Sequence, residues 1–135
     1  MTDQFVSYWE NAANNNPGRP FAKKMAEIPK IVFTRTLDKS TWNNTTLAKG
    51  NLADEIATLK RQKGKDIIVY GGAGFVSSLI KERLIDEYHL LVSPAAIGNG
   101  MSIFKALDGT QKFSAIDSRL YPCGITVLSY KLKND

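Results

Sequence analysis

Three glycines, Gly71, Gly72 and Gly74, mark the place in this 135-residue sequence where chemistry is best supported. Residues 67–70 before them form the short apolar run of a strand covered on both faces. From Phe75 onward, apolar residues recur at helical spacing. Glycines let a ligand approach the backbone, and a helix that opens after a strand presents unpaired N–H groups and a positive dipole end. The pattern indicates a phosphate-binding turn or, with equal weight, a tight turn that binds nothing.

The composition is that of an ordinary globular protein and predicts one domain over residues 1–135. Apolar residues make up 43% and charged residues 23% of the sequence. No stretch has the apolar length needed to cross a bilayer, so we expect no membrane partner. The lone Cys123 excludes an intrachain disulfide and fits a cytoplasmic location. The lone His89 argues against a His-based catalytic triad and against a metal site.

The net charge of +5 raises the possibility of a nucleic-acid partner, but the arrangement of the charges argues against it. Lys60, Arg61, Lys63 and Lys65 cluster where a predicted helix ends, and cations complement the dipole at that end. The aromatic residues do not alternate with basic ones, as a base-stacking surface requires. We therefore expect no nucleic-acid partner. A small anionic ligand would benefit from the same positive field.

The pattern along the chain predicts alternating strands and helices. We expect an aromatic helical ridge at residues 5–9, a loop over 11–20, helical turns over 21–27 and a polar loop over 35–44. Asn51 is the predicted cap of a helix over 52–60. The predicted strands cover residues 31–34, 66–70, 86–92, 113–120 and 125–130, and a helix follows the glycine turn to about residue 81.

This order predicts an α/β fold with a mostly parallel sheet flanked by helices and an antiparallel C-terminal hairpin. Ligands of such sheets bind beyond the carboxyl ends of the strands. Residues 34–36 and 71–72 lie at such ends. They would face one crevice if strands 31–34 and 66–70 were neighbours, which a right-handed crossover through residues 52–60 permits.

Five motifs in a fixed order carry a family resemblance over residues 5–130. They are Pro-Lys-Ile-Val-Phe-Thr-Arg-Thr-Leu at 29–37, Trp42, Ile-Val-Tyr-Gly-Gly-Ala-Gly at 68–74, Leu-Ile-Asp-Glu at 84–87 and Pro-Ala-Ala-Ile-Gly-Asn-Gly at 94–100. The chain resembles the dihydrofolate reductase superfamily, and within it the C-terminal reductase domain of bacterial riboflavin biosynthesis proteins. The ordered set is much more specific than the glycine turn alone.

The resemblance implies a dihydrofolate-reductase-like fold that uses NADPH as its cofactor. It assigns the cofactor pyrophosphate to the glycine turn, whose two leading glycines are commonly joined by a cis peptide in the family. It assigns the adenosine 2′-phosphate to the segment around Arg35, whose guanidinium suits bidentate pairing with phosphate oxygens. Without the resemblance, the pattern indicates only a surface cation at a strand end for Arg35. The cofactor-binding residues implied are Thr34, Arg35, Thr36, Gly71, Gly72, Ala73, Gly74 and Phe75.

The resemblance also implies a reductase of a small molecule, either a ribosylaminopyrimidine or a pterin-like substrate, that assembles as a homodimer. Members ordinarily begin with a strand, a substrate loop and a helix bearing a Gly-Arg-X-Thr-like segment. The match here starts after that segment, so we expect an N-terminally incomplete domain in which the catalytic residue is unknown. The alternative is a catalytically inactive nucleotide-binding or assembly remnant of the fold.

Overall fold

The computed structural model describes residues 2–15 and 20–133, which form two compact units that divide between Gln62 and Lys63. The mixed α/β class predicted from the sequence is confirmed, with four helices and five strands in the described residues. None of those helices has the length and apolarity required to span a bilayer.

The first unit opens with two packed helices, α1 (Thr2–Asn15) and α2 (Pro20–Glu27). The Trp9 ring makes edge contacts with Phe5, Tyr8 and Phe21 at centroid distances of 6.2, 5.0 and 5.4 Å. The predicted aromatic ridge is therefore confirmed, and so is the helix over 21–27. The loop predicted over 11–20 is wrong for residues 11–15, because α1 continues through them, and for Pro20, which begins α2. Residues 16–19 lie outside the described part of the chain.

Two short strands follow, β1 (Lys30–Phe33) and β2 (Thr45–Ala48), paired in parallel with Ile31 opposite Thr46. Helix α3 (Leu52–Lys60) then begins directly after its predicted cap, Asn51. β2 was not predicted, because four residues within a polar stretch carry almost no periodic signal. Its strand character comes from pairing with β1.

The second unit contains helix α4 (Ala73–Lys81) and the strands β3 (Glu87–Val92), β4 (Phe113–Leu120) and β5 (Thr126–Leu132). The strands form an antiparallel sheet in the order β3-β5-β4. The predicted hairpin is confirmed. Its turn is closed by Gly124, which has φ of +86° and donates its N–H to the Tyr121 carbonyl at 2.8 Å.

The predicted strand over residues 66–70 is wrong. These residues belong to neither sheet, and Ile67, Ile68 and Tyr70 expose 57, 66 and 59% of their surface. An apolar run becomes a strand only when neighbouring strands pair with it and cover it. Among the described residues, parallel pairing is confined to β1 and β2, so the expected mostly parallel sheet is not formed.

Candidate functional site

The start of α4 has backbone N–H groups that its own side chains do not use. The N-cap residue is Gly72, which supplies no side-chain hydrogen bond, and the first turn contains no acidic residue. The Phe75 N–H already donates to the Gly72 carbonyl at 3.0 Å. Within the described residues, the N–H groups of Ala73 and Gly74 donate to no acceptor. Two open donors at the positive end of a nine-residue helix suit an anionic ligand.

The glycines of this turn have different physical roles. A Cβ on Gly71 would lie 2.8 Å from Cδ1 of the Phe75 ring, so its hydrogen leaves room for that ring. A Cβ on Gly74 would meet nothing within 4 Å. Packing within the described chain therefore accounts for Gly71 and leaves Gly74 as an open approach to the helix start. The peptide bond between Gly71 and Gly72 is trans, which corrects the cis bond implied by the resemblance.

Contacts further along α4 hold the helix in place. The buried Ser77 hydroxyl accepts the Ala106 N–H at 3.1 Å. Gln111 donates its Nε2 to the Ile80 carbonyl at 2.8 Å, near the helix C-terminus. Lys81 Nζ lies 3.0 Å from Asp108, and the hydrogen bond and charge of that carboxylate raise the Lys81 pKa. The loop before β4 thus supports the middle and the C-terminal end of the helix.

The second predicted segment follows β1 in the first unit. Thr34 donates its N–H to the Ala48 carbonyl, which extends the β1–β2 pairing by one residue. Its Oγ1 accepts the N–H groups of Thr36 and Leu37 at 3.2 and 3.1 Å. The Thr34 hydroxyl therefore builds the turn that carries Arg35. Sequence reasoning missed this role, although Thr at the first position of a polar turn is a typical signal of it.

Arg35 and Thr36 lie on this turn as exposed side chains. In the part of the chain that the structure describes, Arg35 forms no ion pair, so no described carboxylate competes for its guanidinium. A guanidinium held on an ordered turn suits a phosphate group.

The strand pairing that would bring both predicted segments to one crevice is not formed. β1 pairs with β2 in a two-stranded sheet, and residues 66–70 are not a strand. The structure thus shows two anion-suited segments, one in each unit, each with its own geometry.

Two shallow depressions lie outside these segments. One, of about 390 Å³, is on α2, and the other, of about 340 Å³, is lined by the first turn of α3 with Asp54 and Glu55. The carboxylates of the second disfavour an anionic ligand. Neither depression is lined by a predicted site residue.

A buried tyrosine is a further feature that sequence patterns did not single out. Tyr88 is only 5% exposed, packs against Phe113 at 4.9 Å, and its hydroxyl has no hydrogen-bond partner among the described residues. Burial raises the Tyr88 pKa above its ordinary value, and the Asp86 carboxylate raises it further. This hydroxyl is a neutral group of the interior of the second unit.

Comparison with known proteins agrees with the fold and with the ordered motifs. The family model of the RibD C-terminal domain matches residues 4–127. Two uncharacterized proteins of Bacillus subtilis (strain 168) are similar in sequence. YyaP is 30% identical over 101 residues, which cover 75% of this chain and 53% of YyaP. YwjB is 33% identical over 106 residues, which cover 78% of this chain and 59% of YwjB.

Two solved structures are similar in fold. One is provisionally named a riboflavin biosynthesis protein, from Shewanella sp. PV-4; it aligns with a TM-score of 0.68 and 28% identity over 78% of this chain and 61% of that one. A pyrimidine reductase-like protein from Corynebacterium diphtheriae aligns with a TM-score of 0.57 and 17% identity over 88% of this chain and 54% of that one. The chain thus spans between about half and three fifths of the length of these relatives.

Proposed function

Because the chain belongs to the RibD C-terminal domain family, we propose that it is an NADPH-dependent reductase of the riboflavin-biosynthesis and dihydrofolate reductase type. The proposed substrate is a ribosylaminopyrimidine, such as 5-amino-6-(5-phosphoribosylamino)uracil, or a pterin-like molecule. The observation that carries the proposal is the open first turn of α4 within a chain that matches this family from residue 4 to residue 127.

The first turn of α4 fits the pyrophosphate of a dinucleotide. The N–H groups of Ala73 and Gly74 are the donors we assign to it, and the absence of a Cβ at Gly74 gives access to them. Gly71, Gly72 and Phe75 complete the proposed segment, Gly71 by making room for the Phe75 ring. No carboxylate occupies the first turn, so an anion meets no like charge there.

The turn after β1 fits the 2′-phosphate that distinguishes NADPH from NADH. Arg35 is the proposed contact, with hydroxyl donation from Thr34 and Thr36. The Thr34 oxygen accepts two backbone N–H groups, so its own O–H is still available to donate. We assign the largest share of cofactor discrimination to Arg35, because charge-assisted bonds are roughly twice as strong as neutral ones.

NADPH supplies the hydride when it is bound, and the protein supplies binding and orientation. Hydride transfer needs donor and acceptor carbons in near contact, so the role we propose for the glycine turn is to fix the cofactor. We assign no residue of this chain as the catalytic acid. We further propose a small-molecule substrate, a homodimeric state and a cytoplasmic location.

Cofactor titrations test the Arg35 assignment. We expect Arg35→Ala to weaken NADPH binding by about 10- to 100-fold, since a charged hydrogen bond contributes about 1.5–3 kcal/mol, and to leave NADH binding nearly unchanged. Lys39→Ala is the matched control, because Lys39 is an exposed cation of the same loop. Equal losses for the two cofactors in Arg35→Ala would show that Arg35 does not contact the 2′-phosphate.

A second candidate is a nucleotide-binding or assembly remnant without catalysis. The exposed apolar residues 67–70, which belong to neither sheet, favour it. NADPH oxidation with ribosylaminopyrimidine and dihydropterin substrates separates the two functions. Turnover supports the reductase, NADPH binding without turnover supports the remnant, and the absence of both refutes the cofactor assignment.

A further inference from the structure

The outer edge of β4 carries a pattern that is complementary to itself. β4 is an edge strand in the order β3-β5-β4, and its residues 115–120 are exposed. Around Ser118, the acidic Asp117 and the basic Arg119 lie at equal distance on either side, followed outward by the apolar Ile116 and Leu120. An edge strand presents unpaired N–H and C=O groups that a second strand can use.

We infer that two copies of this chain pair through β4, antiparallel and centred on Ser118. In this register, Asp117 lies opposite Arg119 of the second copy, and the same ion pair repeats across the two-fold axis. The paired stretch ends, also twice, where Leu120 approaches the bulge residue Ile116 of the second copy. One strand thus supplies both halves of each contact, as a two-fold symmetric interface requires.

The side chains needed for this pairing are exposed in the described structure. Ile116 and Leu120 expose 50 and 71% of their surface. Asp117 and Arg119 form no ion pair there, although the Arg119 guanidinium lies 5.4 Å from the centre of the Tyr121 ring. Both charged residues share one face of the sheet, because their β5 partners, Ser129 and Val127, are two residues apart. Opposite charges facing across antiparallel strands attract.

Charges and bulges at a sheet edge usually discourage pairing. Charges of one sign do so by repulsion, whereas the two signs around Ser118 attract a second copy in this one register. The bulge between Ala115 and Asp117 ends the regular part of the edge, so the paired stretch is short. A short interface predicts a weak dimer. The inference supplies an interface for the proposed homodimer and does not depend on NADPH binding.

Charge reversal tests the register. Sedimentation velocity on the 135-residue chain, between about 1 and 200 µM, should show a reversible dimer. Asp117→Arg and Arg119→Asp should each weaken it at least tenfold, because each places like charges opposite one another. The double variant restores opposite charges and should recover most of the affinity. Lys105→Asp, at an exposed loop residue, is the control and should dimerise as the wild type does.

Cross-linking is a second test of the register, and it does not depend on the affinity of the dimer. In a Cys123→Ser background, Ser118→Cys places two thiols opposite one another at the axis and should oxidise to a covalent dimer. Ala115→Cys should not, because its two copies would be roughly 20 Å apart at about 3.3 Å per residue. A monomer at all concentrations, equal cross-linking of the two variants, or a double variant as weak as the single ones would overturn the inference.

Discussion

Helices α3 and α4 are each nine residues long, but their first turns are closed in different ways. At α3, the Asn51 side chain accepts the N–H groups of Ala53 and Asp54 at 2.9 and 3.3 Å. At α4, the cap is Gly72, and no side chain takes that place. The cap side chain of α3 thus satisfies two of the orphan N–H groups at its start, whereas within the described residues no side chain does so at the start of α4.

The first turns of α3 and α4 also differ in charge. α3 carries Asp54 and Glu55 in its first turn, and Glu55 also accepts the Gly50 N–H at 3.1 Å. α4 carries no acid there. An acid at a helix start stabilises the helix and repels an anion from outside. α3 therefore begins as a structural helix does, whereas α4 gives up that local stabilisation where our proposal places the cofactor.

A side-chain cap at the start of α4, like the one at α3, should have the largest effect on NADPH affinity. Gly72 has φ of −65° and ψ of 156°, extended values that any residue adopts, so Gly72→Asp should fold. Its carboxylate would cap the helix and repel phosphate, and we expect NADPH affinity to fall more than about 100-fold, as desolvated like charges imply. Calorimetric titration measures the loss.

Gly72→Asn separates the two causes of that loss, because it offers a similar cap without the charge. Gly72→Val offers neither cap nor charge and tests steric access alone; we expect it too to abolish binding in a folded protein. Unchanged NADPH affinity in a folded Gly72→Val or Gly72→Asp protein would place the pyrophosphate elsewhere.

Removal of the side-chain cap of α3 should lower the stability of the protein and leave NADPH binding unchanged. Asn51→Ala removes the acceptor of two N–H groups, which should destabilise the protein by about 1 kcal/mol. Urea unfolding followed by circular dichroism measures the difference, and NADPH titration is the control. A fall in NADPH affinity as large as that of Gly72→Asp would mean that the two helix starts are not functionally distinct.

Gly74→Ala should have the smallest effect, and it should raise the stability of the protein while lowering its affinity for NADPH. Gly74→Ala adds a methyl group to open space inside a helix, so it should stabilise the protein by about 0.5–1 kcal/mol. The same methyl group would stand over the open N–H groups and should weaken NADPH binding. Thermal unfolding and titration on one sample check both signs. Stabilisation with unaltered affinity would show that ligand does not approach over Gly74.

Local signals in the sequence predicted much of the fold. Asn51 predicted the start of α3, the spacing after Gly72 predicted α4, and the bend before Gly124 predicted the hairpin of β4 and β5. The two helix starts and the turn of the hairpin depend on hydrogen bonds between residues a few positions apart, so the residues that decide them are neighbours in the sequence. The glycine turn was also evident from neighbouring residues, whereas the segment around Arg35 was assigned only through the family resemblance.

Only the tertiary structure decided which strands pair and which polar groups are occupied. The apolar run at residues 67–70 predicted a buried strand, but it joins neither sheet, whereas the unpredicted β2 pairs with β1. The Ser77 hydroxyl is taken by the Ala106 N–H, 29 residues away. Strand formation and burial depend on partners that are distant in sequence, so their free energy is not a property of the segment alone. The sequence by itself determined where each helix and turn could begin, and packing determined which of those possibilities became structure.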